Sequence, residues 1–195
     1  MLRSKIAIQV LLFGIFMILA VAQQQPPRSQ IIIHVQKAGL LSAFGHNHTV
    51  VAPISQAVID AKNRSVEITV PAKQMKVTDK EVSDSDRAEI QSTMLGPKVL
   101  DTDKYADVRF KSIRVEPAGP QHFRVTGTLS LHGVSKEISF EVTESPGHYQ
   151  GKTRLKQTEF GVQPVSAAGG SIKVKDEVEI EFDVYPGDFA NGNRR

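Results

Sequence analysis

The densest chemistry in this chain of 195 residues is Gly45-His46-Asn47-His48. Side chains alternate along a strand, so His46 and His48 would leave it on one face. Two imidazoles so placed suit Zn, Cu or Ni. They suit a lipid head group or a phosphate equally well. Antiparallel pairing across residues 38–45 would bring His34 towards them. A catalytic zinc normally takes three protein ligands, so His34 or His132 would have to complete the set. Val50-Val51-Ala52-Pro53 follows the pair where a metal-binding fold of the cupin type would place a glutamate. No His-x-x-x-His or His-Glu-x-x-His occurs. The histidines are therefore read as structural or head-group contacts, with no metal and no cofactor assigned. Alternation puts His132 on the polar side of its strand, and His122 and His148 fall near turns, where exposure is expected.

Other chemistry is thin. The chain has no cysteine, which removes thiol catalysis, Fe–S clusters, Cys-based zinc sites and disulfides. No Gly-x-Ser-x-Gly elbow occurs. Gly169-Gly170-Ser171 lacks the lysine and helix of a phosphate loop and reads as a turn. No catalytic residue is assigned.

The elements that must position these groups are strands. Phe123, Val125, Leu129 and Leu131 alternate with Arg124, Thr126, Thr128 and Ser130, with Gly127 in the remaining apolar phase. Ile138, Phe140 and Val142 repeat the pattern, as do Val178, Ile180, Phe182 and Val184. So do Val66, Ile68 and Val70, and Ile31, Ile33 and Val35. One apolar and one wetted face per strand predicts antiparallel sheet. Turn residues between the runs (Pro117 to Pro120, Gly133, Asp60 to Arg64) predict hairpins between sequence neighbours. Glu177, Glu179, Glu181 and Asp183 read as a solvated face that would also protect an edge. Residues 84–95 read as the one helix, with Asp86 as N-cap, Glu89 three residues on, and Ile90, Met94 and Leu95 towards the sheet. Gly96-Pro97 ends it. Mainly β structure with one short helical insertion implies a sheet curled on its apolar face, a barrel or a sandwich.

Residues 1–22 carry the pattern of a secretory signal. Arg3 and Lys5 precede an apolar stretch that ends in Ala20-Val21-Ala22. The stretch falls short of the ~20 residues that span a bilayer, and the small-x-small site predicts cleavage. The signal holds two basic and no acidic residues, so its removal takes the net charge from +3 to +1. That gives no electrostatic case for nucleic acid. Residues 23–29 (QQQPPRS) read as a disordered spacer, residues 30–186 as one domain and residues 187–195 as a flexible tail. No cysteine is available for a lipid anchor.

Three motifs in order resemble the YceI family. Asp86-Arg87 and the helix to Leu95 lead to Leu100-Asp101 and Lys104-Tyr105-Ala106-Asp107-Val108-Arg109-Phe110-Lys111-Ser112. Gly127 to Ile138 (GTLSLHGVSKEI) is similar to the family's hairpin, and Thr158-Glu159-Phe160-Gly161-Val162 with Val174 to Val184 to its closing segment. Ala106 stands where the family often has proline, and Ser55-Gln56-Ala57 lacks a common glycine. The resemblance implies an extended antiparallel β-barrel, lipocalin-like, that holds an isoprenoid or other long-chain lipid in the bacterial periplasm. It implies no catalytic residues.

A tail in such a barrel gains roughly 0.8 kcal/mol per buried methylene and needs only an apolar lining. By alternation the inward candidates are Phe110, Phe123, Val125, Leu129, Phe140, Val178, Ile180 and Phe182, with His34, His46 and His48 as polar contacts. Three functions compete. The first is a periplasmic carrier or sequestering protein for a lipid, with a stress-related role in view. The second is a metal-binding protein or metal-dependent enzyme at His46 and His48. The third is a ligand-free structural module. Barrels of this type can form homodimers, and no exposed apolar run argues for one here. The first reading predicts a hollow interior. Metal content before and after His46→Ala tests the second, which stoichiometric metal lost with that histidine would select.

Overall fold

The computed structural model describes residues 29–39, 45–167, 169 and 171–189. The expected signal, the spacer up to residue 28 and the tail beyond residue 189 lie outside the described residues. The strands are β1 (Gln30–Ala38), β2 (His48–Pro53), β3 (Gln56–Asp60), β4 (Ser65–Pro71) and β5 (Lys76–Val77). After helix α1 (Asp84–Leu95) come β6 (Asp107–Gly119), β7 (His122–Leu131), β8 (Val134–Ser145), β9 (His148–Lys156), β10 (Ser166–Ala167) and β11 (Ile172–Val184). They form one antiparallel sheet in the order β3-β4-β6-β7-β8-β9-β11-β1-β2-β5, with β10 on β11. The sheet curls on its apolar face into a half-barrel, so the mainly β, lipocalin-like expectation describes the fold.

Local chemistry explains the turns. His132 and Gly133 both have positive φ (51° and 77°), as a two-residue turn between right-twisted strands requires, and Leu131 pairs with Val134. A Cβ on Gly133 would meet the Tyr105 ring. β6 runs further than the proline at 117 suggested: Pro117 pairs with Phe123, and the turn falls at Pro120-Gln121. A bulge at Ser112–Arg114 leaves Ile113 exposed and lets Ser112 Oγ accept the Val66 N–H at 2.8 Å.

β11 is not an edge. It lies between β9 and β1, and its acidic face meets the basic face of β9. Arg154 donates to Glu179 at 3.2 Å, Lys152 pairs with Glu181, and His34 lies 3.8 Å from Glu181. The register demands this face to be charged, yet exposed pairs of this kind contribute little, ~0–1 kcal/mol each.

The ends of the sheet, β3 and β5, do not pair with each other among the described residues. Side chains close the seam instead. Val50, Ala52, Val70, Met75 and Val77 are buried there, and Ile90, Met94 and Leu100 pack on them. Leu100 takes the place expected of Leu95. The helix is capped by Ser83, whose Oγ accepts the Asp86 N–H at 3.1 Å, so Asp86 is the third helical residue and not the cap. Gln91 accepts from Val77 N–H and donates to the Met75 carbonyl, both at 2.8 Å, which satisfies the open edge of β5.

Two polar ties hold this cover and join Ser29 to the segment after β11. Asp79, with 5% of its side chain exposed, accepts the Thr49 N–H and bonds His48 Nδ1, each at 2.7 Å. Arg87 Nε donates to the Asp79 carbonyl at 2.7 Å. At the other end, Ser29 N–H donates to Asp188 at 2.6 Å and Ser29 Oγ accepts from Tyr185 N–H at 2.8 Å. Ser29 and Asp188, assigned above to spacer and tail, are thus fixed parts of the domain.

His48→Ala should cost about 1–3 kcal/mol in urea unfolding, because it strips one partner from a buried carboxylate. The far-UV spectrum should stay β-type. A change within error would show that the tie bears no load.

Candidate ligand-binding cavity

The inward side chains do not fill the curled sheet. They enclose a cavity of about 520 Å³. Phe110, Phe123, Val125, Leu129, Phe140, Val178, Ile180 and Phe182 all line it. Ile31, Ile33 and Val35 of β1, Val50 and Ala52 of β2, and Ile68 and Val70 of β4 complete the wall, with Met94 of α1 and Leu100 over the seam.

The space exists because two inward positions are glycines. Gly127 pairs with Ser112 and Ile138, and Gly151 with Val142 and Phe182. A Cβ on Gly127 would come within 2.5 Å of the Phe110 ring and of the Lys111 carbonyl oxygen. A Cβ on Gly151 would collide with the Phe182 ring and the Glu141 carbonyl. Each phenyl therefore lies against bare backbone. Phe140 bridges them, its ring centroid 5.2 Å from Phe110 and 5.3 Å from Phe182 in tilted and edge-on contacts. All three rings line the cavity.

The charged lining lies at the ends, and Thr153 of β9 adds a hydroxyl midway, opposite Ile180. Asp60, Arg64 and Ser65 on the β3–β4 hairpin share one end with Glu144 and Tyr149, which flank the β8–β9 turn. Strand pairing puts both turns on the same side of the sheet. Asp60 accepts from the backbone and side-chain nitrogens of Asn63 at 2.9 and 2.7 Å, which holds its carboxyl below the usual range. Tyr149 Oη donates to Glu144 at 3.4 Å. Burial, then the Glu144 carboxylate, pushes that phenol up, so it stays a neutral donor. At the opposite end Phe160, with no exposed surface, and Val162 plug the interior beside Lys156 and Gln157.

The histidines do not gather. Val35 pairs with His48 and His34 with Thr49, so His34 and His48 leave opposite faces of the sheet. His46 precedes β2 and is exposed, and His48 is bound to Asp79. None of the three lines the cavity. Among the described residues no three metal-ligating side chains converge. His132 and His148 are half-buried, contrary to expectation. The His132 ring lies 4.6 Å from Tyr105, and the His148 ring stacks on Tyr185 at 4.9 Å.

Sequence reasoning missed the polar end. Glu144 continues the phase of Phe140 and Val142, and Tyr149 that of Gly151 and Leu155, so period two carried the signal. Asp60, Arg64 and Ser65 looked like turn residues and nothing more.

A curled antiparallel sheet around an apolar cavity defines a mainly β half-barrel with an unfilled interior. The YceI-like domain matches residues 23–185, and the chain belongs to that family. A UPF0312 protein of Vibrio parahaemolyticus is 34% identical over 116 residues, which is 54% of this chain and 59% of the relative. One from Pseudomonas putida is 29% identical over 106 residues, 49% and 55%. The matches thus span under two thirds of these curated relatives. Among solved structures, Burkholderia cenocepacia BcnA superposes with a TM-score of 0.58 at 18% identity, covering 80% of this chain and 94% of that one. A polyisoprenoid binding domain from Saccharophagus degradans, implicated in plant cell wall breakdown, superposes at 0.54 and 14%, covering 80% and 91%. At such identities the likeness is one of fold.

Gly127→Ala should lower stability by about 1–3 kcal/mol through overpacking against Phe110 and backbone. Urea midpoints check this. A neutral result would mean that the ring is free to move and that the glycine does not shape the wall.

Proposed function

We propose that this protein holds the apolar chain of an isoprenoid or similar long lipid in the cavity, as a carrier or sequestering protein and not as an enzyme. The carrying observation is the lining, in which aliphatic and phenyl side chains from nine strands leave about 520 Å³ unfilled. Ten buried methylenes gain ~8 kcal/mol before the entropy of ordering the chain is subtracted. The polyisoprenoid-binding neighbour and the family membership support the same class of ligand. A periplasmic location belongs to this reading. It rests on Arg3 and Lys5, the apolar stretch after them and Ala20-Val21-Ala22.

Native mass spectrometry with organic extraction of the full chain, produced with its own first 22 residues, should recover a co-purifying lipid. Ile180→Trp, which fills the middle of the lumen, should cut retained lipid about tenfold or more with the β-type spectrum kept. Repeated recovery of empty protein that also takes up no added lipid would overturn the reading.

A further inference from the structure

We propose that Phe160 is the floor of the cavity and sets the length of apolar chain that the protein takes. This rests on the lipid reading above and adds to it the residue that measures the chain.

The floor is built separately from the wall. β9 ends at Lys156, and the next four residues, Gln157–Phe160, form a 3₁₀ turn in place of further strand. Gly161 follows in the left-handed conformation (φ 73°) and turns the chain back, so that Val162 N–H donates to the Gln157 carbonyl at 3.2 Å. Phe160 and Val162 both enter the interior, with 0% and 3% of their surface exposed. Phe160 lies in one buried cluster with Leu129, Leu155 and Val178, all of which line the cavity.

Hydrogen bonds hold this turn in place, and none uses the ring. Thr158 donates through its N–H and its hydroxyl to Asp176 of β11, at 2.8 and 2.7 Å. Those two bonds hold the Asp176 carboxyl below its usual range. Gln157 Nε2 donates to the Lys175 carbonyl at 2.9 Å, and His132 Nδ1 bonds the Phe160 carbonyl at 3.3 Å. The backbone of the floor is thus fixed to β11 and to the β7–β8 turn, and the phenyl alone fills the space above it. A shorter side chain there deepens the cavity and leaves the floor standing.

The depth follows from the strands. Tyr149, Thr153 and Leu155 of β9 line the cavity from the hairpin end to the floor. The steps from Tyr149 to Leu155, at about 3.3 Å each, give roughly 20 Å, the extended length of about four isoprene units. Each unit within that depth leaves water for an apolar wall, and units beyond it stay wet. Affinity therefore climbs with chain length and then stops climbing. A phenylalanine that served only the core would alter stability when replaced and leave the stopping length unmoved.

Geraniol, farnesol, geranylgeraniol and the five- and six-unit alcohols share one end group and differ in length. Displacement of a bound fluorescent fatty probe from the full protein should show affinity rising about tenfold or more per unit up to about four units, and little beyond. Phe160→Ala should move that limit longer by about one unit, and Phe160→Leu in the same direction by less. Val178, paired with Leu155, stands just above the floor, so Val178→Phe should move the limit shorter. Urea midpoints and the β-type spectrum identify the folded variants, and Phe160→Leu and Val178→Phe carry the test if Phe160→Ala does not fold. Affinity that still climbs steeply at six units in the unaltered protein overturns the proposal. So does a limit that stays in place in every folded variant. If neither the probe nor any alcohol binds, the cavity reading itself fails. Binding whose limit ignores Phe160 and Val178 leaves that reading standing and removes only this one.

Discussion

Everything about the interior depends on two phenyl rings lying on two glycines. Gly127 and Gly151 stand at inward positions where any Cβ would meet a ring and a carbonyl. Their absence of a side chain lets Phe110 and Phe182 lie along the wall, and Phe140 links the two rings. A sheet of this curvature would otherwise be filled by such large residues, as small barrels usually are. Here the same residues become lining, and an empty volume with little polar surface is left. Capacity for a long apolar guest follows from where the rings rest, without any specialised side chain.

The second constraint is the unclosed sheet. A fully paired barrel needs no cover, but β3 and β5 leave a seam. The segment from β5 to β6 packs over it through Ile90, Met94 and Leu100, held by Gln91 on the edge of β5 and by Asp79 on β2. The histidines that look most like chemistry are absorbed by this task. His48 ties the cover down, His132 packs in a hairpin turn, and His148 stacks on Tyr185 beside the Ser29–Asp188 tie. Polar chemistry at the cavity comes instead from two hairpins at its open end.

Much of the fold was legible because a strand with one buried face writes its burial into every second residue. Val178, Ile180 and Phe182 show it, and so do Phe123, Val125 and Leu129. All eight residues named from that phase line the cavity. Errors arose where a local signal was overruled by pairing. Pro117 looked like a turn, yet β7 continues opposite it. Asp86 looked like a cap, yet Ser83 is better placed by three residues.

Period two and turn chemistry determine, from the residues alone, that this chain forms antiparallel strands with an apolar side, and which residues share that side. They do not determine whether the enclosed side is solid or hollow. That depends on the curvature of the sheet and on which ring faces which glycine, relations between residues 17 and 31 positions apart along the chain. Nor do they place Asp60 and Arg64 beside Glu144 and Tyr149. Those residues meet only because the β3–β4 and β8–β9 turns end on the same side of one curled sheet, and no local pattern records a meeting between strands so distant in sequence.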